Sequence, residues 1–333
     1  MKAFRYLRPR TLEATAAALA AHPGSLVHAG GVDLLDRLKE RIDQPEEIVA
    51  LLDVPGRVGV RLEEDGGLTL GAGTTLAGLA ADPLVARFLP ALAAAAGRAA
   101  SPAIRHRATL GGNLAQRTRC GYYRLASFPC LKRGGDRCPV REATGVQDTA
   151  AIFGNDPCAS AHPSSLAPVL GALDAVLSLV GSKGRRQVEW DRAWRTPAAG
   201  VAHDLALEAD EVIESVHVPP QARPQRMAYE EVRQKAAFDW ALVSCAVRLA
   251  LDGDTVREAR VVLGSVAPTP WRATAAEGVL VGHPLDAARA AEAGRAATQG
   301  ATPLPGSAYK VALVEVVVRR ALEQARTDTG RSR

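Results

Sequence analysis

The sequence predicts a mixed α+β protein built from two or three modules. The chain has 333 residues, and because a domain usually takes about 100–200 residues, one small core cannot account for it. Helical and strand patterns alternate over residues 1–60, whereas short β-rich runs separated by turn residues follow residue 166. The proline-rich, charged stretch "PPQARPQR" comes next and is typical of an inter-domain linker.

The N-terminal part is predicted to be a small α/β unit. Its patterns give a helix over Thr11–Ala21, a strand over Ser25–His28, a second helix over Leu34–Glu40 and a strand over Ile48–Leu51. A double glycine separates the first of these strands from the second helix. This order is a β-α-β type of alternation.

The middle and C-terminal parts continue the mixed pattern. The run "LTLGAGTTLAGLA" predicts a strand, a glycine turn and a helix start, and a long alanine-rich helix is expected to reach about Ala100, before Pro102. A helix from Leu166 and three paired strands, in "AVLSLVG", "GRRQVEW" and "DEVIESVHVP", should follow. A C-terminal domain is predicted from about Met227, ending in "YKVALVEVVVRRALEQAR".

Composition excludes some classes of function. The 41 basic and 36 acidic residues give a net charge of +5, and the basic residues are scattered without the aromatic interleaving of nucleic-acid grooves. The longest apolar run, "LAPVLGALDAVLSLVG", is shorter than a membrane span and contains Asp174. Glu13 interrupts the alanine-rich start, which therefore does not have a signal-peptide pattern. We expect no nucleic acid, no membrane span and a cytoplasmic location.

Four of the five cysteines, Cys120, Cys130, Cys138 and Cys158, lie in one irregular loop, separated by nine, seven and nineteen residues. Structural zinc normally shows short C-x2-C spacings, which this loop lacks, whereas an iron–sulfur cluster tolerates wider ones. Spacing alone leaves a cluster, zinc and two disulfides open. Nearby basic residues would offset the charge of a thiolate-bound cluster, namely Arg119, Arg124, Lys132, Arg133 and Arg137. Cys245 lies in an apolar pattern and is predicted to be a core residue.

Two glycine pairs are candidates for binding a phosphate. In "SLVHAGGVDLLDRLK" a β-rich run meets Gly30–Gly31 and then a helix that Asp33 can begin, so backbone amides in the turn could face a pyrophosphate. The second pair, Gly111–Gly112, lies in "SPAIRHRATLGGNLAQ". Each pair alone is more often a plain turn. The chain contains no Walker pattern, no His-Glu-x-x-His and no nucleophile elbow, so no hydrolase or kinase is predicted.

Taken together, "HAGGVDLL", "SPAIRHRATLGGNL", "VRQKAAFDWALVSCAV" and "LGSVAPTPWRA" resemble the FAD-binding medium subunit of the xanthine dehydrogenase family of molybdenum hydroxylases, over nearly the full length. The resemblance implies a two-part FAD-binding domain of the vanillyl-alcohol-oxidase (PCMH) type over residues 1–222, divided into 1–58 and 59–222. It also implies a C-terminal α/β domain over residues 227–333.

The cysteine-rich insert, residues 117–160, resembles that of the flavin subunit of periplasmic aldehyde oxidoreductase and, more loosely, that of 4-hydroxybenzoyl-CoA reductase. Most other members of the family lack it. The resemblance implies a [4Fe–4S] cluster on Cys120, Cys130, Cys138 and Cys158, in preference to zinc or disulfides.

The resemblance also implies which residues contact FAD. Ser165 stands where the family often has an aspartate that bonds the ribityl or ribose part, which puts that contact in doubt, and the segment of Lys235 and Trp240 approaches the flavin ring. The remaining implied contacts lie along the pyrophosphate: Val27, His28, Ala29, Gly30, Gly31, Val32, Asp33, Leu34, Ala108, Thr109, Gly111, Gly112 and Asn113.

The implied function is that of an electron-transfer subunit in a heterotrimeric aldehyde oxidoreductase. A large subunit would carry the molybdenum cofactor, a small subunit [2Fe–2S] clusters, and this chain would pass electrons through FAD to an external acceptor. No acid–base or nucleophile constellation is present for direct substrate chemistry. Two alternatives are a stand-alone flavin oxidase with a structural zinc loop and a zinc-stapled scaffold without flavin. A periplasmic location would require export with a signal-bearing partner.

Overall fold

The N-terminal unit is a three-stranded parallel sheet with two helices. The computed structural model describes residues 1–235 and 238–327. The unit runs β1 (Arg5–Leu7), α1 (Leu12–Ala21), β2 (Leu26–His28), α2 (Val32–Lys39) and β3 (Glu47–Ala50), with strand order β1-β3-β2. The Thr11 hydroxyl accepts a hydrogen bond from the backbone N–H of Ala14 and caps α1. The β-α-β alternation was therefore predicted correctly, whereas β1 was not predicted.

The expected long alanine-rich helix is wrong, because prolines divide it. The structure has α3 (Leu76–Ala81), α4 (Pro83–Phe88) and α5 (Pro90–Arg98). A proline lacks the N–H that a continuous helix needs but suits the first helical position, where both of these prolines lie. The Asp82 carboxylate accepts hydrogen bonds from the backbone N–H groups of Leu84 and Val85 and so starts α4.

The second sheet lies in the middle of the chain and is antiparallel. Its strands are β4 (Val60–Leu62), β5 (Leu68–Gly71), β6 (Val176–Gly181), β7 (Gly184–Glu189) and β8 (Val212–Val218), in the order β4-β5-β8-β6-β7. The three paired strands predicted after residue 166 are thus confirmed, whereas β4 was missed. Short helices complete this part: α6 (Pro102–Arg105), α7 (Leu110–Leu114), α8 (Gly121–Arg124) and α9 (Leu166–Ala172).

The C-terminal part is a four-stranded antiparallel sheet covered by helices. It contains β9 (Gln225–Val232), β10 (Val243–Asp252), β11 (Thr255–Gly264), β12 (Trp271–Arg272), α10 (Thr274–Leu280), α11 (Ala287–Ala296) and α12 (Tyr309–Thr327). Cys245 lies on β10 and is fully buried, as predicted, and burial raises the pKa of its thiol. The end of the predicted domain, residues 328–333, lies outside the described residues. No helix in the described part of the chain is long and apolar enough to cross a membrane.

The cysteine-rich insert packs against all three parts of the chain. Ile152 and Phe153 belong to the core of the C-terminal part, where the Phe153 ring stacks on Trp271 with 4.8 Å between centroids. The Lys132 ammonium forms a buried ion pair with Asp204, which lies between β7 and β8. Further ion pairs join the insert to Asp33 on α2. The insert therefore lies where the three parts meet.

Candidate cofactor site

A cleft of about 300 Å³ lies between the N-terminal unit and the second sheet. The β2–α2 loop forms one wall and the loop that leads into α7 forms the other. The cleft is lined by most of the residues predicted to contact FAD: Val27, Ala29, Gly30, Gly31, Val32, Asp33, Leu34, Ala108, Thr109, Gly111, Gly112, Asn113 and Ser165. The two glycine pairs, eighty residues apart in the chain, thus face one cavity.

His28 and Lys235 lie outside this lining. The Nδ1 atom of His28 lies 2.6 Å from the Tyr6 hydroxyl, and burial, together with the nearby Arg107, lowers the pKa of the His28 ring. Lys235 is exposed, and its contact with the flavin stays a prediction. Instead, Phe238 and Trp240 line the cleft.

Gly30 is required by the protein itself. A Cβ atom at this position would lie 1.9 Å from the carbonyl oxygen of Arg107, far inside van der Waals contact. Gly31 differs, because it adopts φ +80° as the residue before α2, a conformation that glycine accepts without strain. Gly30 therefore allows the two loops to approach each other, and Gly31 allows the turn into α2.

The two glycine loops offer different groups to a ligand. In α7, the N–H groups of Gly111 and Gly112 are already bonded to the Ala72 carbonyl and the Thr109 hydroxyl. In contrast, the first-turn N–H groups of α2 have no acceptor within their own helix, as in every α-helix. These amides and the positive end of the helix dipole suit a diphosphate. The residues present therefore fit FAD. The first turn of α2 supplies hydrogen-bond donors to the diphosphate, and α7 forms a close-packed wall of the cleft.

Asn113 is positioned by a residue that the sequence did not single out. The Ser164 hydroxyl donates a hydrogen bond to the Asn113 side-chain oxygen at 2.6 Å and accepts one from the backbone N–H of Ala167. Ser164 is 2% exposed. It links the start of α9 to α7 and fixes the Asn113 amide at the edge of the cleft.

The Asp33 carboxylate joins the cleft to the cysteine-rich insert. It accepts hydrogen bonds from Arg37 Nε at 3.0 Å, the backbone N–H of Arg117 at 3.1 Å and Arg124 Nη2 at 2.7 Å, and Arg119 Nη2 lies 3.0 Å away. Burial alone would raise the pKa of Asp33, but Arg119, Arg37 and Arg124 outweigh it, and the pKa lies below its ordinary value. The carboxylate is thus held ionised at neutral pH.

Cys120, Cys130, Cys138 and Cys158 line one small cavity, and all five cysteines are free thiols. The Cys158 thiol donates a hydrogen bond to the Ser160 hydroxyl at 3.4 Å. Hydrogen bonding between Cys138 and Cys158 lowers the pKa of Cys138 and raises that of Cys158, whereas burial raises the pKa of Cys120. The loop therefore brings together four sulfurs that lie up to 38 positions apart in the sequence.

Within residues 1–235 and 238–327, no three His, Cys, Asp or Glu side chains are placed to hold a single metal ion. A cubane cluster makes a different demand, because each thiolate binds a separate iron and the four sulfurs stand farther apart than around one zinc ion. The structure places four thiols around one cavity, which is the number of thiolates that such a cluster requires. Of the five basic side chains predicted to offset its charge, only Lys132 lines the cavity.

The other four basic residues hold the loop in shape. Arg119 and Arg124 pair with Asp33. Arg137 pairs with Glu142 at 2.9 Å, and Arg133 donates hydrogen bonds to backbone carbonyls of residues 122, 125 and 128. These four side chains therefore pair with other groups of the protein, and none of them lines the thiol cavity.

A second cavity, of about 490 Å³, lies between the cleft and the thiols. It shares Arg119 and Trp240 with the cleft, and the Arg119 guanidinium lies 4.8 Å from the centre of the Trp240 ring. It shares Cys120 and Tyr122 with the thiol cavity. The three cavities thus form a series from the glycine loops to the cysteines, with Cys120 as the thiol nearest the middle.

Lys310 closes the second cavity from the C-terminal part. It lies on α12, is 1% exposed and donates hydrogen bonds to the carbonyls of Thr149 and Ser265 at 3.0 and 3.1 Å. Burial lowers the pKa of its ammonium to about 8, although Asp148 acts in the opposite direction. Lys310 thus ties the insert to α12.

This shift predicts a pH dependence of stability. A lysine whose pKa is lower in the folded state releases its proton more easily there, so the free energy of unfolding should rise from about pH 8 towards the ordinary lysine pKa. The slope from this group is at most about 1.4 kcal/mol per pH unit. Denaturant unfolding between pH 7 and 10 should show that rise in the wild type and not in Lys310→Met. The exposed Lys183, changed to methionine, is the control, and equal slopes in Lys310→Met and wild type would contradict the assignment.

Comparison with known proteins places this geometry in a family. Residues 2–221 match the FAD-binding domain in molybdopterin dehydrogenase, and residues 227–325 match the CO dehydrogenase flavoprotein C-terminal domain. The chain is 34% identical to the aldehyde oxidoreductase FAD-binding subunit PaoB of Escherichia coli K12, over 84% of this chain and 86% of that one. It is 31% identical to the carbon monoxide dehydrogenase medium chain of Hydrogenophaga pseudoflava, over 97% and 96%.

The fold agrees with these sequence matches. A solved structure of carbon monoxide dehydrogenase from Hydrogenophaga pseudoflava superposes with a TM-score of 0.76 at 30% identity, covering 97% of this chain and 96% of that one. Both parts of the predicted fold, an FAD-binding domain and a C-terminal domain in a mixed α+β architecture, are therefore present. The chain belongs to the FAD-binding medium subunits of the xanthine dehydrogenase family of molybdenum hydroxylases.

Proposed function

We propose that this chain is the FAD- and [4Fe–4S]-containing electron-transfer subunit of a heterotrimeric, molybdenum-dependent aldehyde oxidoreductase. A large subunit with the molybdenum cofactor oxidises the aldehyde, and a small subunit with [2Fe–2S] clusters delivers the electrons. When bound, FAD and the [4Fe–4S] cluster supply the redox chemistry that passes those electrons to an external acceptor. The domain limits of 1–222 and 227–333 and the insert limits of 117–160 belong to the same proposal.

The observation that carries this proposal is the continuous series of three cavities. The cleft fits a dinucleotide, the small cavity brings four thiols together, and the second cavity shares wall residues with both. Trp240 lines both the cleft and the second cavity, and Cys120 lines both the second cavity and the thiol cavity. Such an arrangement suits electron transfer within one subunit.

The chain's own residues bind the two redox groups, and they do not act on the substrate. The first turn of α2 offers amide donors to the pyrophosphate, and Ser164 fixes Asn113. Lys132 lines the thiol cavity as one member of a buried ion pair with Asp204. The similarity to an aldehyde oxidoreductase subunit supports an aldehyde as the substrate of the complex.

The relay assignment predicts that the isolated chain has no aldehyde oxidation of its own. The FAD-loaded chain, offered aromatic aldehydes and an artificial acceptor, should give no measurable turnover, and addition of the molybdenum and [2Fe–2S] subunits should restore it. As a control, the isolated chain should still be reduced by dithionite and reoxidised by the same acceptor. Turnover by the isolated chain at the rate of the complex would instead support a stand-alone flavin oxidase, with the cysteines as a structural zinc site.

A further inference from the structure

We infer that FAD binding and cluster retention are energetically coupled, and that Asp33 is the positioning residue that couples them. The inference rests on the proposed function, since it requires both groups in one chain. The coupling makes the cysteine-rich insert part of the flavin site, although its thiols line a different cavity.

Asp33 lies at the boundary of the two sites. It is the second residue of α2, directly after the glycine turn that lines the cleft. Its carboxylate is bonded to the segment that enters the insert through Arg117, Arg119 and Arg124. Cys120 lies between the last two of these arginines in the sequence. The same carboxylate therefore fixes the start of α2 and the place of the first cluster cysteine.

The contacts of Asp33 are strong enough to link the position of α2 to that of the 117–124 segment. The Asp33 and Arg124 side chains are 13% and 12% exposed, so solvent screens their interaction far less than it screens a surface pair. If the 117–124 segment is displaced, the carboxylate loses three of its four partners and keeps only Arg37, and a buried charge with fewer partners is costly. If the first turn of α2 is displaced, Arg119 and Arg124 lose their common acceptor.

A ligand that fixes one side must therefore favour the ordered form of the other. FAD on the first turn of α2 holds Asp33 in place, and Asp33 holds the segment around Cys120. A cluster on the four cysteines acts in the reverse direction. Thermodynamic linkage requires the two effects to be equal, so loss of the cluster weakens FAD binding by the factor by which loss of FAD weakens cluster binding.

The test is a double-mutant cycle on FAD affinity in the full-length chain, purified anaerobically and depleted of flavin. Cys158→Ser removes a cluster ligand far along the insert from Asp33, and Asp33→Asn removes the charge while keeping the shape. In the wild-type background, Cys158→Ser should raise the Kd for FAD at least about fivefold, the lower end of usual coupling. In the Asp33→Asn background, the same change should alter the Kd less than about twofold, because the connection is already broken.

A second variant acts from the insert side, so the result does not depend on one substitution. Arg124→Gln removes the 2.7 Å contact without touching Asp33 or the lining of the cleft, and it should reduce the Cys158→Ser effect in the same way. Asp252→Asn, which breaks a surface pair with Arg257 in the C-terminal part, is the matched control and should leave the effect unchanged. Thermal unfolding shows whether each variant is folded.

The cluster side of the cycle gives an independent measurement. In the wild type, iron should be released to a chelator more slowly with FAD bound than without it, whereas in Asp33→Asn the two release rates should be equal. A wild type that binds both FAD and iron but shows the same Cys158→Ser factor in both backgrounds would overturn the coupling and leave the proposed function intact. A wild type that holds no iron would overturn both.

Discussion

Replacing Gly30 by alanine will abolish FAD binding. The new Cβ atom would lie 1.9 Å from the Arg107 carbonyl oxygen and 2.9 Å from its carbon, both of them backbone atoms that no side-chain rotation can move. The β2–α2 loop and the loop before α7 must therefore separate, and the cleft between them opens. We expect the Kd for FAD to rise at least about 100-fold, or about 2.7 kcal/mol. Visible flavin absorbance after reconstitution and gel filtration measures the loss.

Alanine substitutions at two other glycines test whether the loss of FAD binding is specific to Gly30. Gly31→Ala should be milder, since its Cβ would meet only side-chain atoms, the His28 ring at 2.7 Å and Leu35 Cδ1 at 3.3 Å. The positive φ costs an alanine about 1–2 kcal/mol. Gly278→Ala, on α10 with open space around the new methyl group, should bind FAD like the wild type. Full flavin occupancy in Gly30→Ala would show that the two loops do not form the FAD site.

Serine in place of any one of Cys120, Cys130, Cys138 and Cys158 should remove the [4Fe–4S] cluster that we propose for this loop. A serine hydroxyl is a poor substitute for a thiolate on iron, and the loop offers no fifth cysteine, because Cys245 lies in the core of the C-terminal part. Each variant should fall from about four irons per chain to a small fraction of that value. Iron and acid-labile sulfide analysis of anaerobically purified protein measures it.

Cys245→Ala is the matched control for the cysteine series. Cys245 is 0% exposed on β10, so truncation leaves a small cavity that lowers the melting temperature. Its iron content should equal that of the wild type. Iron loss in Cys245→Ala, or full iron in any of the other four variants, would show that the thiol cavity is not the cluster site.

Local patterns in the sequence were enough for the elements that a few neighbouring residues specify. The β-α-β start, the three paired strands after residue 166 and the buried Cys245 all follow from periodicity and turn residues. The prediction of one long helix before Pro102 was wrong, because the alanine content was given more weight than Pro83 and Pro90. Each of these prolines begins a new helix. The three-residue strands β1 and β4 were missed, although the equally short β2 was predicted.

The residues of the candidate site could be proposed from the sequence, but their contacts could not. The glycine pairs and the four cysteines could be selected from the sequence, because glycine and thiol chemistry restrict what such positions do. Nothing in the sequence indicates that Gly30 lies against the Arg107 carbonyl or that Arg119 and Arg124 both pair with Asp33. Nor does it indicate that the N–H groups of Gly111 and Gly112 are hydrogen-bonded within the protein. The contacts of Gly30 and Asp33 join segments about eighty or ninety residues apart, and only the folded chain sets them.

The central claim is that one chain holds FAD and a [4Fe–4S] cluster together. The most direct measurement is the content of flavin, iron, sulfide and zinc in wild-type protein purified anaerobically. The account predicts about one FAD, four irons and four sulfides per chain on cluster stoichiometry, and no zinc. One zinc per chain with no iron, whether or not flavin is present, would contradict it.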